Sequence, residues 1–233
     1  MIKDKRQKKL IQSLNRFWII GFGRFGRIAV ERIIAQKTDA AITIVDKRSV
    51  NSDHAGITAV RQDGIQWLAA KLTPESPIDI IVPAIPIHVT AEWIKNKLSK
   101  KNNILSFEIP EDWLARLPHG MAVGGGRVVV SHADFICPDN CPEPETICTH
   151  TGKPRPKDLF RLLDEIRFDA VLPIVLRSYQ ILPGVGGIYP RDLFHALTLV
   201  RNNRHRPLMI ATACRCHGVI DFIRLQPKSV ASV

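Results

Sequence analysis

The glycine string Gly21-Phe22-Gly23-Arg24-Phe25-Gly26 is where this sequence is most ready to do chemistry. At G-x-G-x-x-G spacing the first glycine permits a tight turn after a strand. The second lets backbone amides approach a pyrophosphate, and the third lets a helix pack close to the preceding strand. Arg24 and Phe25 share the turn and count with the glycines as cofactor-contacting residues. Asp46 stands twenty residues after Gly26, where an acid accepts the ribose hydroxyls of an adenosine half. That acid favours NAD, while the adjacent Lys47 and Arg48 suit a 2′-phosphate and keep NADP open.

Two side chains are candidates for moving a proton. His88 follows Pro83-Ala84-Ile85-Pro86-Ile87 at the start of a helix, on the side of an open α/β sheet where ligands gather. Its plain alternative is a helix-capping or exposed histidine. Tyr179 lies with Arg177 just before a second glycine turn, Gly184-Val185-Gly186-Gly187. That turn either holds a small carboxylate or phosphate, with Arg177 as clamp and Tyr179 as proton donor, or simply reverses the chain.

The five cysteines, Cys137, Cys141, Cys148, Cys214 and Cys216, all lie in the second half. An odd count with no secretory signal argues against a disulfide framework. Clustered thiolates are soft donors that suit zinc or an iron–sulfur cluster, and His132, His150 and His217 are nearby spare ligands. The spacing Cys137-x3-Cys141-x6-Cys148 matches no zinc finger and departs from the ferredoxin run. The expectation is a metal or cluster that holds the proline-rich loop 137–148 together with Cys214 or Cys216. A reversible disulfide and inert thiols are the other two readings.

The elements that must position these groups follow from periodicity. Residues 17–21 form an apolar strand running into the glycine turn, 24–36 an amphipathic helix, and 41–46 a β-branched strand ending in Asp46. This is a βαβ unit. Alternation continues with a strand at 56–60, a helix at 64–72, a buried strand at 78–82 and a helix at 88–99. A fifth strand is expected at 103–108, a short helix at 111–117 and a strand at 127–131. Beyond the loop come helices at 156–166 and 189–202, and strands at 170–176, 207–213 and 218–225.

The string IIGFGRFGR resembles the first βα turn of NAD(P)-binding Rossmann proteins, such as glyceraldehyde-phosphate dehydrogenases and the nucleotide-binding domains of potassium-uptake regulators. The resemblance covers 17–46 and extends by alternation to about 108. It implies dinucleotide binding with Gly21, Gly23, Gly26 and Asp46 in the family's roles. It does not extend to chemistry, since no Ser-Cys-Thr-Thr-Asn nucleophile segment is present. The expected fold is α/β, a doubly wound and mostly parallel Rossmann-like sheet with a smaller α/β cysteine-containing extension. The expected division is a basic segment at 1–16, a dinucleotide-binding domain at 17–133 and the cysteine-containing region at 134–233.

Composition sets the outer limits. The 233 residues carry a net charge of +11, with 33 Lys and Arg against 22 Asp and Glu. Part of the excess sits in Lys3, Lys5, Arg6, Lys8, Lys9 and Arg16. A basic balance favours phosphorylated ligands, but no basic stripe interleaved with aromatics points to nucleic acid. No apolar run reaches the ~20 residues of a membrane span, and the first sixteen residues are too polar for a secretory leader. The expected protein is therefore cytoplasmic, with a homo-oligomer left open. Function divides between an oxidoreductase with a nicotinamide cofactor and an unidentified small substrate, and a regulatory module that only senses the dinucleotide.

Overall fold

A computed structural model describes residues 10–52 and 54–228. Most of the basic segment at 1–16 lies outside the described residues. The architecture is mixed α/β, and the chain divides into two compact units. The first takes the chain up to Val89 and adds Ile136–Arg155 and Ser178–Leu193. The second consists of Thr90–Phe135, Pro156–Arg177 and the chain from Phe194 on. Among the described residues no helix is long and apolar enough to cross a membrane.

The first unit is built on β1 (Arg16–Ile20), α1 (Arg24–Gln36), β2 (Ala41–Asp46), β3 (Ile57–Arg61), α2 (Gly64–Lys71) and β4 (Ile80–Pro83). The four strands form one parallel sheet in the order β3-β2-β1-β4. Phe17, Ile19, Ile42, Ile44, Ile80 and Val82 of the three adjoining strands share one core. Helix α1 adds Ala29, Val30 and Ile33 to that core, the spacing of one helical face. Helix α2 starts at Asp63, whose carboxylate accepts the amides of Ile65 at 3.0 Å and Gln66 at 2.9 Å. That is the usual way to satisfy the first orphan donors of a helix.

The second unit opens with α3 (Val89–Leu98, its first residue still in the first unit), β5 (Asn102–Ser106), α4 (Glu111–Ala115), β6 (Met121–Gly124) and β7 (Arg127–Ser131). It continues with α5 (Leu159–Glu165) and β8 (Leu172–Arg177). Returning to the first unit, β9 (Tyr179–Leu182) and β10 (Val185–Gly187) form an antiparallel hairpin, and Ile188 bridges Ile81 of β4. The chain then runs along α6 (Pro190–Asn202) into β11 (Leu208–Ala213) and β12 (His217–Pro227) of the second unit. The second unit's sheet has the path β6-β7-β12-β11-β8, with β5 also on β12. The eleven-residue β12 serves two partners along one side: residues 217–221 pair with β7 and 223–227 with β5.

One sequence expectation changes here. The strand expected at 103–108 does not extend the parallel sheet; it pairs antiparallel with β12. The chain first passes from one compact unit to the other at Val89 and Thr90. The region 134–233 also serves both units, because Ile181, Leu182 and Val185 belong to the core of β1, β2 and β4. Periodicity marks a strand but carries no information about which strand will pair with it.

A charged group is buried in the second unit's sheet. Asp221, 1% exposed, accepts from Arg127 at 2.9 and 3.0 Å and from Lys95 at 2.8 Å. Glu92 accepts from the same two cations, at 2.6 Å from Arg127 and 3.1 Å from Lys95. Two acids and two bases thus compensate one another, as buried charge requires. The bond it donates to Asp221, outweighing burial, raises the Arg127 guanidinium above its ordinary pKa.

Candidate functional site

The turn after β1 is fixed on both sides. The Gly21 amide donates to the Val45 carbonyl at 2.7 Å, and the Ala84 amide donates to the Ile20 carbonyl at 2.8 Å. Gly21 has φ +103°, a conformation other residues rarely adopt. A β-carbon there would also lie 2.5 Å from Ile85 Cγ2 and 2.7 Å from the Ala84 oxygen. A β-carbon on Gly26 would lie 2.1 Å from the Gly21 oxygen. Gly23 is different: a β-carbon there meets nothing within 4 Å. Two glycines are thus demanded by protein packing, and the middle one faces open space.

Helix α1 begins at Gly23 with no side-chain cap and no acid in its first turn. Its first amides and the positive end of its dipole therefore suit an anion. Phe25 is 57% exposed beside it. Arg24 forms an ion pair with Asp139 from the cysteine loop, although its own side chain stays largely exposed.

Asp46 closes the other side of the turn. Its Oδ2 accepts the Phe22 amide at 2.7 Å, and its Oδ1 accepts the Arg48 amide at 2.8 Å and Arg48 Nε at 3.3 Å. Burial pushes this carboxyl up, but the Arg48 and Phe22 amides and the Arg48 side chain together hold it below its ordinary value. Asp63 is also lowered, first by the Gln66 amide and also by Lys47, whose Nζ lies 3.0 Å away.

The other expected site residues are arranged as follows. His88 is 2% exposed, packed inside the protein rather than presented at a surface. Tyr179 packs edge-on against Tyr189, ring centroids 4.8 Å apart. Arg177 belongs to the other unit and lies over the Phe160 ring at 4.6 Å. The second glycine turn is filled by protein. The Gly184 amide donates to the Cys141 carbonyl at 3.2 Å, and a β-carbon on Gly184 would lie 1.7 Å from the Asp139 oxygen. This is the chain-reversal reading, with the glycine required by close approach of the cysteine loop.

That loop is tied to α1 as well. Arg32 donates to the carbonyl oxygens of Asp139 and Pro183, and the Gln180 amide group donates to the Cys141 carbonyl at 2.7 Å. All five cysteines are free thiols, three in the first unit and two in the second. Among the described residues no group of three or more His, Cys, Asp or Glu is arranged to hold a metal ion. Cys137 is raised by burial first and then by Cys141 and Cys148. Cys148 is lowered, chiefly by the Thr151 side chain and then by the Thr151 amide. In the other unit the Cys214 sulfur accepts the amides of Cys216 at 3.4 Å and His217 at 3.3 Å.

Sequence reasoning missed two groups: the Arg32 and Asp139 fastening of the cysteine loop, and the Asp221 cluster. Neither has a local signature, because each joins residues more than ninety positions apart.

Comparison with known proteins places this arrangement in a family. A protein-family model described as "Uncharacterized protein, C-terminal domain" matches residues 90–226, more than half of the chain. The chain belongs to that family. A protein of Archaeoglobus fulgidus, described as "Uncharacterized protein", is 30% identical over 227 residues, covering 88% of this chain and 98% of its own length. The matched family segment takes in the cysteine loop, the second glycine turn and the Asp221 cluster, and the glycine turn at 21–26 lies outside it.

Proposed function

We propose that the first unit binds a nicotinamide dinucleotide at the glycine turn, on a doubly wound Rossmann-like sheet, and that the protein is an NAD(P)-dependent oxidoreductase acting on a small substrate. One observation carries this reading: Gly21 and Gly26 are crowded by backbone while Gly23 faces open space. A turn needed only for folding has no use for the middle glycine, whereas a pyrophosphate needs the space a side chain would fill. The strand order β3-β2-β1-β4 supports it. It is the order of the first four strands of dinucleotide folds, whose ligand lies outside the carboxyl ends of the strands.

The dinucleotide, when bound, supplies or accepts a hydride. The chain's own residues do the holding. The first amides of α1 receive phosphate charge, Ile85 closes over Gly21, and Asp46 with Arg48 flanks the adenosine side. Five free thiols suit a reducing compartment such as the cytoplasm.

A second reading, a module that senses the dinucleotide without turning it over, is favoured by His88. This candidate for moving a proton is only 2% exposed, which suits a structural role. Fluorescence titration with NADH and NADPH tests binding, and absence of saturation below millimolar concentration ends both readings. Stoichiometric NADH or NADPH oxidation across a panel of carbonyl compounds then separates enzyme from sensor.

A further inference from the structure

Resting on the dinucleotide reading above, we infer that the site selects NADP(H) over NAD(H), with Arg48 as the residue that receives the 2′-phosphate. Asp46, the acid that would grip the ribose hydroxyls, is already committed to the protein. Its Oδ2 holds the Phe22 amide, and its Oδ1 holds both the amide and Nε of Arg48. A carboxylate offers about four acceptor directions, and three are used here. One direction remains for a grip that needs two hydroxyls in an NAD site.

The charge at these strand ends runs the same way. Arg48 lies against Asp46 through Nε, with its side chain 69% exposed. Arg61 is the register partner of Asp46 across β2 and β3, and its Nε donates to the Lys47 carbonyl at 3.3 Å. Lys47 is itself paired with Asp63. Three cations therefore meet two acids where the adenosine ribose approaches a sheet of this order. A phosphate monoester brings roughly two negative charges to that surplus and matches the guanidinium fork. A bare hydroxyl gains neither.

Calorimetric titration of the full chain with NADPH, NADH, 2′,5′-ADP and 5′-AMP tests this. NADPH is expected to bind about tenfold or more tightly than NADH, and 2′,5′-ADP to exceed 5′-AMP similarly, as a charge-assisted Arg–phosphate contact provides. Arg48→Ala should weaken only the two phosphorylated ligands and bring the ratio to about twofold, with Arg48→Lys between because it keeps charge without the fork. Raising salt should shrink the preference, since the cations are exposed. A melting curve checks that Arg48→Ala is folded; if it is not, the four-ligand comparison on the unaltered chain and Arg61→Ala decide. NADH binding as tightly as NADPH, or Arg48→Ala weakening both alike, overturns the inference and leaves dinucleotide binding standing. Failure of all four ligands to bind overturns both.

Discussion

Gly26 passes so close to Gly21 that a β-carbon on it would lie 2.1 Å from the Gly21 carbonyl oxygen, while Gly23 between them has nothing within 4 Å of the same position. The two substitutions therefore separate folding from binding. Gly26→Ala forces the helix start away from β1 and should destabilise the protein by about 1–3 kcal/mol, the usual range for an overpacked site. Gly23→Ala puts a methyl into open space, and its φ of −74° suits alanine. Its stability should stay within about 1 kcal/mol of the parent. If the turn holds a dinucleotide as proposed, affinity should nevertheless fall by about tenfold or more, because the methyl would occupy the space needed by the pyrophosphate. Denaturant unfolding and NADPH titration of both variants check the pair.

Asp46 gives the turn a predictable acid sensitivity. Its folded pKa lies below the ordinary 3.8, so its contribution is complete above that value and is lost as pH falls through the lowered one. Asp46→Asn cannot accept both amides and lacks the charge. The gap in melting temperature between parent and variant should therefore be largest near neutral pH and close as pH falls from the ordinary 3.8 through the lowered value. A gap that is constant over that interval would mean the carboxylate charge plays no part. Asp63, lowered by the Gln66 amide, acts in both proteins and cancels in the comparison.

Much of the first unit is legible in the sequence because its signals are local. The strand into Gly21, an amphipathic helix over 24–36 and the acid at Asp46 follow from spacing alone. The expectation that a strand near 103–108 extends the same sheet fails because β5 is chosen by β12, more than a hundred residues later. The burial of His88, 2% exposed, is likewise not written in its local spacing. The occupant of the second glycine turn is equally hidden. Only the folded chain shows Asp139 and Cys141 lying against Gly184.

The cysteines of the loop should differ in reactivity. Cys148 is held below its ordinary pKa by the Thr151 side chain and amide, so more of it is thiolate at neutral pH. Cys137 is raised by burial and by two neighbouring thiols. Limited alkylation with iodoacetamide near pH 7, read by peptide mass spectrometry, should label Cys148 before Cys137. Thr151→Val should remove the hydroxyl bond and slow Cys148 while leaving Cys137 unchanged. Equal rates at the two cysteines in the parent would contradict this ordering.

Asp221 has a different role, argued from burial and pairing. It is 1% exposed and takes three charge-assisted bonds from Arg127 and Lys95. Removing it leaves two cations with Glu92 as their remaining acid in the cluster. Asp221→Ala should therefore destabilise the second unit by about 3–5 kcal/mol, the range for breaking a buried pair from one side. Asp221→Asn preserves shape and one acceptor and should fall short of that. Replacing Glu92 with Gln should have a smaller effect, because its side chain is 31% exposed and water compensates the loss. Denaturant curves followed at Trp113, which stacks on Phe168 in the second unit's core at 4.8 Å, report this unit. The proposed dinucleotide binding, assigned to Gly23 and Asp46 in the other unit, should persist in any Asp221 variant that keeps the first unit folded. A variant with an unfolded second unit and unimpaired binding would show the two units to be energetically separable; loss of both together would show that the glycine turn depends on the second unit for its stability.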